Sequence, residues 1–261
     1  MFLKNLIHKK INLVALRNNP LFFFFLKVTT NIYSNLMTFI ENILFKGEAN
    51  DKDFKKNGIF LIKSSTNMKK IQAFCENTVD RKDYAILLVP NEKIKLLLNQ
   101  IFTKELREHI SYKTGFNYSI DYFRIYENRF QTEDTRLEHV DMSYSKNMLK
   151  IFIPLETNLD SGPLMIFDKN LTKLKQKGLK NIKEKPFLLT GDGENIYGVS
   201  PRICWHKEGN PKKYNSSIQM MFQLNPSNKW TFKKNIGKFQ LKLEPKFTSL
   251  TSFLFEKGLL K

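Results

Sequence analysis

Apolar residues recur at helical spacing near the start of the chain. In "NIYSNLMTFIENILF" they fall every three or four positions, which predicts a helix packed on the core. The apolar positions of this helix are Leu36, Phe39, Ile40, Ile43 and Leu44. The preceding block Leu21–Leu26 is too short to span a bilayer and ends at Lys27. Shallow contact of this block with a membrane surface is the alternative interpretation.

A second amphipathic segment, "NEKIKLLLNQIFTKELREHI", predicts a helix over residues 91–110. Asn91 follows a proline and occupies the position expected of an N-cap. The apolar side chains on one side of this helix are Ile94, Leu97, Leu98, Ile101 and Leu106.

Short apolar runs at 58–64 and 83–90 predict strands, and from about Ser119 the apolar period shortens towards two. The strand-like segments there are "SIDYFRIYENRF", "MLKIFIPLE", "GPLMIFD", "PFLLTGD", "RICWH" and "SSIQMMFQL". Turn signals such as "DSGP" separate them, which favours an antiparallel sandwich or barrel. The lysine-rich stretch 168–185 interrupts the strands and is expected to be a solvated loop.

Composition narrows the class of protein. The chain has 261 residues, of which 41% are hydrophobic, so it is long and apolar enough to bury a sizeable core. Two cysteines provide no disulfide framework and suit a reducing compartment. With no secretory cleavage pattern after the Phe-rich block, the cytoplasm is the expected location.

The formal net charge of +18 bears on possible partners. Only seven of the 43 basic residues are arginine, and lysine is enriched together with Asn, Ile and Phe, as A/T-rich codons produce. Nucleic-acid readers rely heavily on arginine, so nucleic acid is not expected as a partner. The charge leaves open a small-molecule substrate with an anionic group, or an anionic membrane surface.

The segment "EHVDMSYSKNMLKIFIPLETNLDSGPL" (138–164) places His139 and Asp141 one residue apart before an apolar run. In an extended segment residues i and i+2 point to the same side, so one cation can bridge this pair. His206 ends a further apolar segment, 67 residues after His139. Two histidines and one carboxylate leave open positions on a metal, as in non-haem Fe(II) oxygenases.

From Tyr122 to about Pro226 the chain resembles the phytanoyl-CoA dioxygenase-like family of Fe(II)/2-oxoglutarate oxygenases. The matching pieces are "YFRIYENRF" before "HVD", then "MLKIFIPLETNLDSGPL", "GDGENIYGVSPRICWH" and "MMFQLNPS". This resemblance implies a mainly β fold with flanking helices, a double-stranded β-helix or cupin-like jelly roll. It also implies that His139, Asp141 and His206 hold Fe(II), with 2-oxoglutarate and O2 as cosubstrates.

The implied activity is hydroxylation or desaturation of a small-molecule or lipid-like substrate, because halogenating relatives lack the carboxylate that Asp141 supplies. The pattern along the whole chain predicts an organisation in four parts. They are an N-terminal helical and basic extension (1–50), a mixed helix–strand part packed on the core (51–118), the β-helix core with the metal site (119–230) and a C-terminal extension (231–261).

The family usually carries an arginine about ten residues after the distal histidine, where it pairs with the far carboxylate of 2-oxoglutarate. Here no arginine follows Arg202, so another cation is needed. On a regular strand Arg202 shares a face with His206, and its bidentate geometry suits a carboxylate. Lys150 enters the barrel beside the metal pair, and Lys212 or Lys213 is a third choice.

Other residues are expected to contact the cosubstrate or substrate. One strand carries Tyr122, Arg124 and Tyr126 at every second position, so their side chains share a face. If this face lines the barrel, Arg124 and Tyr126 lie near the ligand. Gln219, on a later strand, offers a neutral hydrogen bond.

Two alternatives to the oxygenase remain open. Cys204 precedes His206 by two residues, so Cys204, the two histidines and Asp141 could form a closed structural zinc site. The other alternative is a β-helix scaffold that binds a ligand or partner without turnover, which the missing arginine favours.

Overall fold

A computed structural model describes residues 20–47, 51–64, 67–81, 84–132, 138–141, 144–176 and 185–241. The basic stretch before residue 20, residues 177–184 of the lysine-rich stretch and the chain after residue 241 lie outside these ranges. Within them, the helices are α1 (Pro20–Phe45), α2 (Lys52–Asn57), α3 (Asn91–Ile101), α4 (Lys104–Thr114) and α5 (Lys169–Gln176). Three short 3-10 helices cover Met68–Phe74, Leu159–Ser161 and Ile236–Phe239.

The strands form a larger and a smaller antiparallel sheet. They are β1 (Ile59–Lys63), β2 (Asn77–Asp80), β3 (Tyr84–Leu88), β4 (Asn117–Arg129), β5 (Leu149–Glu156), β6 (Leu164–Phe167), β7 (Phe187–Leu189), β8 (Asn195–Val199), β9 (Trp205–Lys207), β10 (Ser216–Ser227) and β11 (Thr231–Phe232). The larger sheet has the order β1-β8-β5-β10-β4-β3-β2, with β11 added in parallel beside β4. The smaller sheet has the order β7-β6-β9.

Apolar side chains cover both faces of the larger sheet. On the outer face, side chains of β5 and β10 such as Ile151 and Phe222 pack in one cluster with Leu98 and Ile110 of α3 and α4. The inner cluster joins the two sheets: Tyr122, Phe152 and Met221 of the larger sheet pack with Leu164 and Ile166 of the smaller one. Two facing antiparallel sheets around an apolar interior, with helices outside, confirm the double-stranded β-helix.

The helix predicted over 91–110 is two helices. Phe102 ends α3, and the Thr103 side chain accepts a hydrogen bond from the Leu106 N–H to cap α4. Pro90 precedes α3, so Asn91 is its first residue and not its cap. The expected loop 168–185 begins with a helix, α5.

The predicted strand "RICWH" is wrong in its first half. Residues 201–203 form a turn, and the strand β9 begins only at Trp205. Backbone N–H groups of Ile203 and Cys204 donate to the carbonyl of Ser200, which closes the turn.

The helix α1 is present as predicted but faces the other way. Its apolar positions Leu36, Phe39, Ile43 and Leu44 are exposed, whereas Thr30, Ser34, Met37 and Glu41 are buried against the protein. Polar contacts explain this orientation. The Arg202 guanidinium donates to Ser34 Oγ at 3.1 Å and to Asn31, and the Asn147 amide donates to the Thr38 carbonyl and the Glu41 carboxylate.

Candidate metal centre

Backbone hydrogen bonds bring His139, Asp141 and His206 together. His206 lies in β9, and its N–H and carbonyl exchange hydrogen bonds of 2.9 and 3.1 Å with those of His139. The Asp141 N–H donates to the Pro201 carbonyl at 2.9 Å, so the turn before β9 fixes the third residue. The segment carrying His139 and Asp141 is therefore an edge of the smaller sheet.

The three side chains converge on one point. Asp141 Oδ1 lies 3.7 Å from His139 Nε2 and 3.7 Å from His206 Nε2. All three candidate ligand atoms lie within 4.8 Å of one another. Two atoms bound at about 2.1 Å to one divalent ion lie roughly 3–4 Å apart, so the residues fit a metal ion after small side-chain adjustments.

His206 has the tautomer and charge state that a metal ligand needs. Its Nδ1 lies 3.2 Å from the Cys204 carbonyl, so Nδ1–H donates to that oxygen and the Nε2 lone pair points towards Asp141. Burial disfavours the imidazolium and lowers the pKa of His206 to about 4, although Asp141 acts in the opposite direction. The imidazole is neutral at physiological pH.

Asp141 divides its two oxygens between different partners. While Oδ1 faces the histidines, Oδ2 lies 2.9 Å from Lys150 Nζ, in a pair whose side chains are only 12% and 5% exposed. Burial on its own raises the pKa of Asp141, but the charge and the hydrogen bond of Lys150 outweigh it and hold the pKa below its usual range. Asp141 is therefore an anion that offers one oxygen to a metal.

Exposure differs across the centre. The His139 side chain is 57% exposed, whereas that of His206 is 8% exposed. The open positions of a bound metal would therefore be approached from the His139 side.

The structure places Lys150 beside Asp141 but does not bring Arg202 into the interior. The prediction that Arg202 shares a strand face with His206 is wrong, because Arg202 belongs to the turn 201–203 and contacts α1. Lys212 is paired with Asp160 on the surface, and Lys213 lies over the exposed Tyr214 ring.

Cys204 does not join the three candidate ligands. Its Sγ lies 3.4 and 3.5 Å from the carbonyl oxygens of Asn57 and Gly58, which a thiol can reach as a donor. Burial raises the pKa of Cys204 to about 12, so this residue is a thiol at physiological pH. The closed four-ligand zinc site is not formed.

Cross-strand register shows where the remaining predicted residues lie. Tyr122 and Lys150 both oppose Gln223, Arg124 opposes Met221, and Tyr126 opposes Gln219. Directly opposed residues share a sheet face, so these side chains belong to the face that carries the inner cluster. The Arg124 guanidinium lies 5.5 Å from the centre of the Tyr122 ring.

Glu208 is a site residue that sequence reasoning missed. Its carboxylate accepts hydrogen bonds from the Tyr126 hydroxyl at 3.2 Å and from the Gln219 amide. The available signal was its position two residues after His206, which gives both side chains the same direction on an extended segment. Tyr126, Gln219 and Glu208 thus form a polar group inside the barrel.

A scan against protein-family models and a search of curated proteins returned no match to the sequence. Solved structures do match the fold. The non-heme alpha ketoglutarate dependent epimerase SnoN from nogalamycin biosynthesis is 10% identical, with a TM-score of 0.50 over 66% of this chain and 79% of its own. A 2OG-Fe(II) oxygenase family oxidoreductase from Burkholderia pseudomallei is 12% identical, with a TM-score of 0.47 over 66% of this chain and 86% of its own.

EctD from S. alaskensis, solved with 2-oxoglutarate and 5-hydroxyectoine, is 11% identical, with a TM-score of 0.47 over 66% of this chain and 73% of its own. At this low identity, the match with SnoN shows a common fold and does not show a common activity. Any activity of this chain has to be argued from its own candidate site. The chain thus has a cupin-like fold, which it shares with SnoN, and within it a convergent His-Asp-His cluster.

Proposed function

We propose that this protein is an Fe(II)/2-oxoglutarate-dependent oxygenase that hydroxylates or desaturates a small-molecule or lipid-like substrate. One observation carries the proposal. Asp141 Oδ1 is equidistant from the Nε2 atoms of His139 and His206, at 3.7 Å from each. Two imidazoles and a carboxylate on one side of a metal are the ligand set of non-haem Fe(II) oxygenases.

Each residue at this centre has a definable task. His206 would present a neutral imidazole, oriented by the Cys204 carbonyl. Lys150 holds Asp141 Oδ2 and so leaves Oδ1 to bind the metal alone. Fe(II) with 2-oxoglutarate and O2 supplies oxidation of a C–H bond coupled to decarboxylation of the cosubstrate. The apolar interior of the barrel limits water around the reacting groups.

We assign Arg124 as the cation for the distal carboxylate of 2-oxoglutarate. Arg124 lies on the interior face, two residues along β4 from Tyr122, which shares its row with Lys150. Two residues on a strand correspond to about 7 Å, which a five-carbon diacid extending inward from the metal can cover. Arginine also pairs with a carboxylate through two parallel hydrogen bonds.

Anaerobic titration with Fe(II) and 2-oxoglutarate tests the proposal. We expect a weak visible charge-transfer band and, after O2 is admitted, succinate formation. His139→Ala and His206→Ala should each abolish the band. His109→Ala, which alters an exposed histidine on α4, should retain it. Folded wild-type protein with neither band nor succinate would overturn the proposal in favour of the non-catalytic scaffold.

Arg124→Met tests the assignment of the cosubstrate cation. Loss of a charge-assisted hydrogen-bonded pair should weaken 2-oxoglutarate binding about 10- to 100-fold, with the Fe(II) affinity unchanged. Arg129→Met is the matched control, because Arg129 lies on the same strand but pairs with Asp80 and Glu127 at the surface. Equal 2-oxoglutarate affinity in wild type and Arg124→Met would contradict the assignment.

A further inference from the structure

The outward face of α1 is an apolar surface, here called the α1 face. Its residues include Ile32, Phe39 and Ile43, which are 63%, 62% and 66% exposed. Large apolar side chains at this exposure normally occur singly on a protein surface, not in a row. The full set is Val28, Ile32, Leu36, Phe39, Ile43 and Leu44.

The spacing of these residues makes the row continuous. Val28, Ile32, Leu36, Phe39 and Ile43 follow one another at intervals of three or four, so they line one side of the helix. From Val28 to Ile43 the row is about 22 Å long at 1.5 Å per residue. The polar residues exposed alongside it, Thr29, Asn35 and Asn42, are uncharged.

Hydrogen bonds on the opposite side of α1 keep this face directed outward. Ser34 and Glu41 are buried, and they hydrogen-bond with Arg202 and Asn147 respectively. Rotating α1 to bury the apolar row would break these contacts and would carry Glu41 to the surface. The helix therefore binds the protein through polar groups and presents its apolar side outward.

Basic residues are frequent in the sequence before α1, and exposed lysines border the α1 face. The first 40 residues contain no Asp or Glu but contain Lys4, Lys9, Lys10, Arg17 and Lys27. At the other end of the row, Lys46 is exposed, and the exposed Lys146 lies beside α1, with its N–H bonded to Thr38 Oγ1. An apolar row bordered by cations suits a surface that is apolar inside and anionic outside.

We propose that the α1 face docks on an anionic lipid bilayer, with α1 lying in the plane of the interface. In the described part of the chain, no helix has the length and apolarity needed to cross a bilayer. The helix α1 begins at Pro20, and its sequence includes the apolar block Leu21–Leu26. This proposal does not rest on the oxygenase activity.

A second copy of the chain suits the face less well. Pairing two α1 faces would bring together two surfaces bordered by the exposed Lys46 and Lys146, within a chain of net charge +18. Paired helices usually carry complementary charges beside the apolar seam, and here the flanking positions Asn35 and Asn42 are neutral. An anionic lipid surface instead turns the same charges into an attraction.

Vesicle co-sedimentation of the full-length protein tests the proposal. We expect binding to vesicles of phosphatidylcholine mixed with phosphatidylglycerol, and at least 10-fold weaker binding to phosphatidylcholine alone. The double variant Ile32→Ser/Phe39→Ser should lose at least 10-fold in partitioning to the anionic vesicles. Leu96→Ser/Leu159→Ser is the matched control, because these leucines are 55% and 71% exposed elsewhere, and it should bind like wild type.

Other results would overturn the proposal. Wild type that stays in the supernatant with anionic vesicles, or binds neutral vesicles equally well, overturns the proposal. Unchanged binding by Ile32→Ser/Phe39→Ser also overturns it, as does a wild-type dimer in light scattering that becomes a monomer in this variant. Circular dichroism and the Fe(II)/2-oxoglutarate band should match wild type, which separates lost docking from misfolding.

Discussion

Lys150→Met should destabilise the metal-free protein through Asp141. The substitution keeps the length of the side chain and removes its charge, so Asp141 Oδ2 loses the ammonium that lies 2.9 Å away. Both side chains are largely buried, and water cannot easily replace the lost partner. The other oxygen faces the histidine rings, and the neutral His206 presents a lone pair to it and brings no compensating charge.

The size of the effect follows from the geometry of the pair. At 2.9 Å and an effective dielectric constant of about 20, the attraction between the two charges is about 6 kcal/mol. Part of this lost attraction is offset, because folding of the variant no longer has to remove an ammonium group from water. Breaking a buried ion pair on one side typically costs about 3–5 kcal/mol, and the exposed His139 side of the centre places the expected loss near 3 kcal/mol.

Urea unfolding of chelator-treated protein at pH 7.5 measures this loss. Lys146→Met is the control, because Lys146 is exposed, and it should change the free energy of unfolding by less than about 0.5 kcal/mol. Adding Asp141→Asn to Lys150→Met should recover part of the stability, since the uncompensated anion is then absent. A Lys150→Met protein as stable as wild type would refute the claim that this lysine neutralises Asp141.

Three further predictions concern other parts of the molecule. Burial raises the pKa of Glu41 to about 7, so the folded state holds this proton more tightly and wild type loses stability as the pH rises from about 4.5 to 7. Thermal melts across this range should show that Glu41→Gln becomes more stable than wild type as the pH rises, by up to about 3 kcal/mol in the free energy of unfolding above pH 7. A difference in stability that does not change with pH would contradict the burial argument. Gly198→Ala should cost about 1–3 kcal/mol in urea unfolding, because the added methyl would overlap the Phe60 ring, and no loss would mean that the ring moves freely. Arg202→Met should speed amide hydrogen exchange in α1, because the guanidinium hydrogen-bonds Ser34 of that helix, and unchanged exchange would contradict this anchoring role.

Local periodicity was sufficient to predict an antiparallel β sandwich or barrel, and the family resemblance implied the double-stranded β-helix and a common metal site for the three candidate ligands. The alternation after Ser119 indicated the strands, and the i, i+2 spacing of His139 and Asp141 gave them a common direction. The third ligand followed from His206 at the end of an apolar segment. The common direction of His139 and Asp141 needed only the geometry of a single strand, whereas their union with His206 was implied by the family resemblance.

Features that depend on contacts between distant segments could not be predicted in this way. Arg202 belongs to a turn that contacts a helix 168 residues earlier in the chain, which strand periodicity does not encode. The partner of Lys150 is Asp141, and only the folded barrel shows that this lysine serves the ligand. The orientation of α1 was predicted wrongly because an apolar stripe indicates a face that avoids water without indicating what covers it.

The turn at residues 200–204 makes α1 part of the support of the metal centre. The Pro201 carbonyl receives the Asp141 N–H, and the Cys204 carbonyl lies against His206 Nδ1, so one turn orients two of the three candidate ligands. Arg202, between them, is held by Ser34 of α1. A chain shortened to begin after α1 would keep every strand of the barrel and all three ligands, yet it would lose the anchor of this turn. Truncation at the N-terminal end should therefore loosen metal binding before it unfolds the barrel.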